Sequence, residues 1–311
     1  MGPTEWALLA LLALLWGGSF FFTKIALAAI PPLTLVLGRV ALASLTLALA
    51  LALAGAPFPR QRHVWIAFLG MGLLNNVVPF SLLFWGQTAM PKEVASSLAS
   101  ILNATTPIFT VLVAHVLTRD ERLNAGKLAG VLFGFAGVAI MLAPSLGTAP
   151  RLSGNLPLLG MLACLAAAFV YACAGVFGRR FERLGVTALQ SAFGQVTASS
   201  VIMAPVAAIL DRPWTLPMPT AAALAALTAL AVISTALGYV LYFRILARAG
   251  ATNLLLVTFL IPVVACALGL LLGERLGLVH LIGMGFIGAG LAAVDGRLLR
   301  RLRPRPLAPA G

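Results

Sequence analysis

Charged residues are scarce in this sequence. Only 9% of its 311 residues are charged, and just eight residues are Asp or Glu, whereas a soluble globular domain carries about a quarter charged residues. Hydrophobic residues make up 61% of the chain, and the mean hydropathy is +1.05. A water-facing fold cannot bury that much apolar surface, so the composition excludes a soluble domain and predicts an integral membrane protein.

Cysteine and histidine are rare as well, with three residues of each. All three cysteines lie inside apolar runs, which is typical of small buried residues rather than of disulfides or metal ligands. The histidines are far apart in the sequence, and no HExxH motif, phosphate-binding loop or nucleophile elbow occurs. The sequence therefore argues against an enzyme and predicts no catalytic residues, no metal site and no cofactor.

Carboxylates are missing from the middle of the apolar runs. The acidic residues all fall at the ends of these runs or between them: Glu5, Glu93, Asp120, Glu121, Glu182, Asp211, Glu274 and Asp295. Carriers driven by protons or sodium usually bury an acidic residue as the ion site. For a transporter, this absence favours uncoupled movement of substrate over proton antiport.

What the sequence does contain is a series of long apolar segments. A helix needs about 20 mostly apolar residues to cross a bilayer, and lipid offers the backbone no other hydrogen-bonding solution for a single segment. The connections between the segments are short and carry Pro, Gly or charge. We predict ten membrane-spanning helices at residues 5–28, 33–54, 64–86, 94–117, 124–143, 156–177, 187–210, 220–243, 252–272 and 278–298.

The net charge of +13 would suggest a nucleic-acid partner in a soluble protein. Here the basic residues lie in the short gaps between apolar runs, and they concentrate on the side that holds both termini, as at Arg60, Arg62, Arg179 and Arg180 and at 297–305. Cytoplasmic loops of membrane proteins carry this excess of Lys and Arg. We therefore predict cytoplasmic termini, a bacterial-type inner membrane and no nucleic-acid partner.

Residues 95–142 have a counterpart about 155 residues later in the chain. Pro262 corresponds to Pro107, and 274–276 (Glu-Arg-Leu) correspond to 121–123. Three further positions match in the following segments, namely Gly130, Phe133 and Gly137 with Gly283, Phe286 and Gly290. The chain therefore contains an internal repeat.

Each repeat holds five predicted spans, so the second copy enters the membrane from the opposite side. We predict a five-helix repeat at 1–143, a linker at 144–155, a second five-helix repeat at 156–298 and a basic cytoplasmic tail at 299–311. Inverted repeats of this kind are common in secondary transporters, where the substrate site lies near the bilayer midplane.

Several short motifs resemble the EamA family of the drug/metabolite transporter superfamily. They are the WGGSFFFTK at 16–24, Arg39 followed by small residues, Pro107 in a Ser/Ala/Thr-rich helix, and the GERL at 273–276. Within that family, the chain is similar to the YddG-type amino-acid exporters. The resemblance implies a ten-helix bundle whose central cavity is lined by helices 1–4 and 6–9, with helices 5 and 10 at the periphery.

Polar residues inside spans are costly unless they face protein or a water-filled cavity. On the fourth span Ser96, Ser100 and Asn103 share one face, and the third span places Asn75 and Asn76 near mid-membrane. These five residues are candidates for substrate binding. The alternative is that they hydrogen-bond neighbouring helices as packing contacts.

Prolines interrupt the backbone hydrogen bonding of three spans, at Pro79, Pro107 and Pro262. A proline removes a backbone donor and frees a carbonyl one turn earlier, and broken helices often line transporter sites. We predict that these positions act as hinges.

Arg39 is the one charge well inside a span, and its repeat counterpart is Gln195. Both residues are candidates for substrate binding. A guanidinium can hold a substrate carboxylate, or it can snorkel to the surface. Aromatic residues that can contact a ligand side chain or ammonium group are the further candidates for the site, unless they belong to an interfacial belt. They are Trp16, Trp85, Tyr171, Tyr239 and Tyr242.

Two charge pairs follow from the predicted topology. Lys24 and Glu274 fall at the outer end, whereas Glu121 and Arg179 fall at the inner end, and each pair joins equivalent helices of the repeat. We hypothesise that the two pairs form and break alternately as gates. The alternative is that they are ordinary helix-end charges.

Together these features predict a secondary transporter that exports amino acids or similar small zwitterionic metabolites by alternating access, without ion coupling. Its partners would be the small-molecule substrate and the lipid bilayer, and it would act as a monomer or a homodimer. One alternative is a multidrug or other metabolite exporter of the same fold, with or without proton coupling. A second alternative is a channel or a structural membrane protein.

Overall fold

The computed structural model describes residues 2–117, 124–146, 156–254 and 256–295, and these residues form an all-α protein. Two short elements, Arg180–Arg183 and Pro213–Thr215, lie in connections. The main helices are α1 (Pro3–Ala26), α2 (Pro32–Leu53), α3 (Arg62–Gly72, Leu73–Val77 and Val78–Ala89), α4 (Ala95–Asn103 and Thr106–Leu117), α5 (Ala125–Leu146), α6 (Leu156–Gly178), α7 (Ala188–Leu210), α8 (Ala221–Thr228, Ala229–Leu237 and Gly238–Ala249), α9 (Ala251–Leu254 and Val257–Leu271) and α10 (Leu278–Asp295).

The predicted membrane architecture is confirmed. Each of the ten apolar segments contains one of these helices, and nine helices within the described ranges are long and apolar enough to cross a membrane. The remaining one, Val257–Leu271 in α9, is a shorter apolar helix of 15 residues. The part of the predicted linker from 147 onward, the basic tail 299–311 and Glu121 lie outside the described residues.

Helix packing follows the repeat. The central helices α2 and α7 pack against each other, and so do the equivalent helices α5 and α10. Each of the other large contacts has an equivalent in which every helix is replaced by its counterpart in the other half. The equivalent contacts are α1–α9 and α6–α4, α3–α6 and α8–α1, and α2–α8 and α7–α3. Each half is therefore packed mainly against the other half, with the α2–α7 pair at the centre.

Glycines allow the closest of these approaches. Gly130 on α5 faces Gly290 on α10, and Gly137 faces Gly283, so that a Cβ atom at any of the four would lie within 2.6–2.9 Å of backbone oxygen on the partner helix. Small residues permit this contact between helices in a membrane. These four glycines are therefore used for packing inside the protein.

Both third helices of the repeat change winding near their middle. Leu73–Val77 in α3 and Ala229–Leu237 in α8 are π-helical, with α-helix before and after. Segments of π-helix are rare and occur frequently at functional sites, because the altered winding turns side chains to new directions. These two segments carry Asn75 and Asn76 in one half, and Ser234 and Thr235 in the other.

Candidate functional site

Arg39 lies in the interior of the bundle and is only 6% exposed. Its Nε donates a hydrogen bond to Thr235 Oγ1 on α8 at 2.9 Å, and Thr235 in turn donates to the carbonyl of Leu230 at 2.7 Å. The guanidinium stacks on the ring of Phe80 on α3, 3.9 Å from the ring centroid, with Phe84 next to it at 5.8 Å. Arg39 is thus fixed from two sides and does not snorkel to the helix end.

The terminal nitrogens of Arg39 have no hydrogen-bond or ion-pair partner among the residues that the structure describes. No Asp or Glu of the described residues lies within ion-pair distance of the guanidinium, and its single hydrogen bond uses Nε. In the same part of the chain, the fully buried side-chain atoms without a partner belong to Gln87, Asn103 and Ser234. The Nη atoms are not among them, so they are open to space that water can reach. An isolated buried charge is unfavourable, and this arrangement leaves a planar pair of donors free for an anion.

A second polar cluster joins α3, α7 and α8. Asn75 Nδ2 donates to Gln195 Oε1 at 2.8 Å and to the Tyr239 hydroxyl at 3.1 Å. Tyr239 donates to Asn76 Oδ1 at 3.2 Å, and Asn76 Nδ2 donates to Ser199 Oγ at 3.1 Å. The cluster is neutral, and the members bond one another. Asn75 and Asn76 are therefore both substrate candidates and packing contacts between the halves.

The Arg39 contact and the Gln195 contact are related by the repeat. Arg39 on α2 reaches the π-segment of α8, and Gln195 on α7 reaches the π-segment of α3. The preceding glycines behave alike, because a Cβ on Gly38 would meet Leu227 of α8 and a Cβ on Gly194 would overlap the ring of Phe68 of α3. One geometry is used twice, with a charge in one copy and an amide in the other.

Three of the other predicted aromatic residues take part in ring contacts. Trp16 on α1 stacks with Tyr242 on α8 at a centroid separation of 5.6 Å, and Tyr171 on α6 meets Phe80 edge to face at 6.5 Å. Trp85 is different, since it is 41% exposed. The structure places Tyr171 next to the ring on which Arg39 stacks, and it places Trp85 at the surface.

The predicted polar face of α4 is divided between separate roles. Ser96 bonds to Glu274 through both its backbone N–H and its hydroxyl, at 2.9 and 2.8 Å. Ser100 donates to the backbone carbonyl of Ser97 at 2.7 Å. Asn103 keeps its buried Oδ1 without a partner. Asn103 is therefore the member of this face with a free polar atom.

Lys24 and Glu274 form an ion pair. Lys24 Nζ lies 2.8 Å from Glu274 Oε1 and also donates to the carbonyl of Lys92 at 2.7 Å. The carboxylate accepts hydrogen bonds from the backbone N–H groups and hydroxyls of Ser96 and Ser97, which begin α4. One side chain thus joins the end of α1, the start of α4 and the α9–α10 connection.

The hydrogen bonds also set the protonation of this carboxyl group. Burial alone would raise the pKa of Glu274, but the hydrogen bonds from Lys24, from Ser97 and from the backbone N–H groups of Ser96 and Ser97 outweigh it. The pKa therefore lies below the ordinary value for glutamate. The position of Glu274 at the start of α4 also matches the preference of helix N-termini for negative charge.

The opposite end of the bundle is only partly described. Glu121 lies outside the described residues, so the predicted contact with Arg179 is a proposal without a structural test. Pro79 starts the α-helical segment that follows the π-segment of α3, and Pro107 lies just after the interruption of α4. Pro262 lies inside the continuous helix Val257–Leu271 of α9.

Sequence reasoning missed three residues that contribute to these clusters, Phe80, Ser199 and Thr235. It also missed Gln87, whose buried amide has no partner among the described residues. Thr and Ser are common in membrane helices, and they carry no signal until the helix that they face is known. Gln87 was visible in the sequence as a carboxamide within a span. Its position three residues after Phe84 places it on the same face of α3 as the two stacked phenylalanines.

Comparison with known proteins agrees with the geometry. A model of the EamA-like transporter family matches residues 4–143 and 158–294, one stretch in each half. The chain belongs to the EamA-like transporter family. It is therefore a multi-pass membrane transporter, which confirms the resemblance seen in the sequence motifs.

Curated relatives match over nearly the whole chain. The probable amino-acid metabolite efflux pump of Escherichia coli (strain K12) is 28% identical over 301 residues, covering 94% of this chain and 93% of that protein. Protein PecM of Dickeya dadantii is 29% identical, with 94% and 93% covered. An uncharacterized transporter of Archaeoglobus fulgidus is 30% identical, with 82% and 84% covered. Each of these matches extends over both halves of the chain.

One solved crystal structure matches the fold with a TM-score of 0.66. It covers 97% of this chain and 100% of the other, at 21% sequence identity. At this identity the likeness shows the fold alone.

Proposed function

We propose that this EamA-like transporter exports amino acids or similar small zwitterionic metabolites across a bacterial inner membrane. The observation that carries the proposal is Arg39, a buried guanidinium with two terminal nitrogens free and no carboxylate partner in the described residues. A substrate carboxylate would supply the missing anion through paired hydrogen bonds. The name of the relative from Escherichia coli, an amino-acid metabolite efflux pump, supports the same substrate class.

The remainder of the site suits a zwitterion with a varied side chain. The neutral carboxamide cluster around Asn75 and Asn76 can accept hydrogen bonds from an ammonium group. The rings of Phe80 and Tyr171 can pack against an apolar side chain or a cation. Trp16, Tyr239 and Tyr242 extend this aromatic lining from α1 and α8. Of the residues predicted to bind substrate, Trp85 has surroundings that favour a surface role and Ser96 has surroundings that favour a gating role.

The distribution of acids supports transport without ion coupling. Among the described residues, the acidic side chains lie at helix ends or in connections, as Asp211 and Glu274 do. The buried carboxylate of Glu274 is already occupied by Lys24 and the start of α4. Proton-coupled carriers need an acid that is free to titrate during the cycle, and this one is held ionised by its partners.

Alternating access would use the two ends of the bundle in turn. The Lys24–Glu274 pair would close the end that the charge distribution predicts to be outside, and the pair of Glu121 and Arg179 is the proposed counterpart inside. Pro79 and Pro107 lie beside changes in helix winding, where small rotations are easiest. Exchange of the two halves would then convert one closed end into the other. The termini would be cytoplasmic.

The test is uptake of labelled threonine, methionine and phenylalanine into proteoliposomes, with and without an imposed pH gradient. Saturable uptake that does not respond to the gradient supports an uncoupled amino-acid carrier. Accumulation only under the gradient would overturn the uncoupled mechanism. Uptake no greater than that of empty liposomes would overturn the substrate class and favour the multidrug or other metabolite exporter.

A further inference from the structure

Gln87 is a buried carboxamide without a hydrogen bond. Its residue is 5% exposed, and both Nε2 and Oε1 lack a partner in the part of the chain that the structure describes. Asn103 and Ser234 each leave one oxygen unpaired, whereas Gln87 leaves a donor and an acceptor. Buried polar groups are nearly always paired in folded proteins. An unpaired donor and acceptor on one side chain therefore indicate that something outside the protein completes the pairing.

The position of Gln87 relates it to Arg39. Phe80, Phe84 and Gln87 are spaced by four and three residues on the α-helical segment Val78–Ala89, so that they share one face. Arg39 stacks on Phe80 and also approaches Phe84. Gln87 lies three residues beyond Phe84, about 4.5 Å further along the helix axis. A small molecule held at Arg39 and extending along this face would bring its other end to Gln87.

We propose that Gln87 selects substrates whose side chain carries a neutral hydrogen-bonding group, a hydroxyl or a carboxamide. The inference rests on the proposed function, because it takes the carboxylate of the amino acid to be bound by Arg39. A carboxamide can donate and accept at once, and it therefore complements a hydroxyl or another carboxamide. The phenylalanine rings between Arg39 and Gln87 pack against the carbon atoms of the ligand.

The size of the selection follows from the burial of Gln87. A ligand that ends in a methyl group leaves the amide unpaired, whereas a ligand that ends in a hydroxyl pairs with it. An unsatisfied buried polar group changes an equilibrium by about 5- to 150-fold. Threonine and valine have the same shape and differ only in this group. We expect kcat/KM for threonine to exceed that for valine by a factor within this range.

The experiment measures initial uptake of labelled threonine and valine by proteoliposomes of the wild type, Gln87→Met and Gln61→Met. Methionine keeps the length of glutamine without its polar atoms, so Gln87→Met should bring the threonine-to-valine ratio of kcat/KM close to 1. It should do so chiefly by lowering threonine uptake. Gln61 is exposed at the start of α3 and has the same side chain, so Gln61→Met should keep the wild-type ratio.

Each other outcome overturns the proposal. A wild-type ratio near 1 would do so even if Gln87→Met fails to fold, and it would leave amino-acid transport itself intact. A wild-type preference that survives in folded Gln87→Met would assign the selection to another residue. Equal losses of threonine and valine uptake in that variant would assign Gln87 to the conformational cycle. If the wild type takes up neither amino acid, the proposed function fails together with the inference.

Discussion

The α2–α8 contact at Arg39 and the α7–α3 contact at Gln195 are two copies of one arrangement, and they differ in how far their polar groups are satisfied. Gln195 Oε1 accepts a hydrogen bond from Asn75 within a network whose members bond one another. Arg39 donates a hydrogen bond from Nε to Thr235, and its two Nη atoms have no partner among the described residues. An inverted repeat makes the two packing contacts alike, and the side chains make them chemically different. We propose on this basis that the ligand carboxylate is recognised at Arg39, and that Gln195 contributes mainly to packing between the halves.

The largest effect is expected from removing the charge at Arg39. Arg39→Ala should lower kcat/KM for amino-acid uptake about 30-fold or more, because losing one partner of a buried charge-assisted contact costs ~2–5 kcal/mol. Arg39→Lys should recover only part of this loss, since an ammonium group cannot form the paired contact. Proteoliposome uptake measures both variants, and gel filtration in detergent checks that they fold. Unchanged uptake by folded Arg39→Ala would break the distinction between the two copies.

The Gln195 side should respond in stability more than in recognition. Gln195→Leu removes the acceptor of an Asn75 hydrogen bond, and leaving a buried polar group unsatisfied costs ~1–3 kcal/mol. We expect a lower midpoint of thermal unfolding in detergent and a KM close to that of the wild type. Arg39→Gln is the matched comparison and should show the reverse pattern. A KM that rises more in Gln195→Leu than in Arg39→Gln would mean that the ligand carboxylate binds on the other side.

The two glycines that precede these residues offer a steric version of the comparison. In Gly38→Ala the new Cβ would meet the end of the flexible Leu227 side chain at 2.9 Å, whereas in Gly194→Ala it would overlap the Phe68 ring. Overpacking of this kind costs ~1–3 kcal/mol, and a rigid ring yields less than a leucine. Gly194→Ala should therefore unfold at a lower temperature than Gly38→Ala. The opposite order would show that α3–α7 packing is looser than the structure indicates.

The smallest effect is expected at the Lys24–Glu274 contact. In a double-mutant cycle of Lys24→Met and Glu274→Gln, we expect a coupling energy of ~0.5–3 kcal/mol in stability. Glu274→Gln should be the more destabilising of the two single changes, because Glu274 also caps α4. A carboxyl with a depressed pKa contributes stability above its unfolded pKa and loses it as pH falls through the folded pKa. Thermal unfolding should therefore give the same coupling energy at pH 5 and at pH 7. If the effects of the two single changes on stability simply add in the double mutant, the case for a gate is lost.

Much of the fold could be predicted from the sequence, because the bilayer reduces the problem to segment length and hydropathy. The ten segments and the two repeats follow from residues counted along the chain. Lys24 and Glu274 could be assigned to one end of the bundle by counting spans, and the structure places them in contact. These features depend on the order and number of the spans along the chain, which can be read directly from the sequence.

The site itself depends on which helix faces meet, and this could be predicted only in part. Arg39, Asn75 and Gln195 were visible as polar residues inside spans, but their partners were not. Thr235 reaches Arg39 because the π-segment changes the direction of side chains in α8. No pattern of residues in the sequence predicted that π-segment. Ser96 was predicted to lie on the substrate-binding face of α4, but its hydroxyl donates a hydrogen bond to Glu274. Small rotations of the helices, set by packing, decide which partner each of these polar side chains meets.

The most direct test of the central claim compares methionine with methioninamide as competitors of labelled methionine uptake. The two molecules share the side chain and the ammonium group, and they differ in the charge that Arg39 is proposed to bind. We expect methionine to compete with the wild type far better than methioninamide, and the difference to shrink in Arg39→Gln. Equal competition by both molecules in the wild type would contradict carboxylate recognition at Arg39.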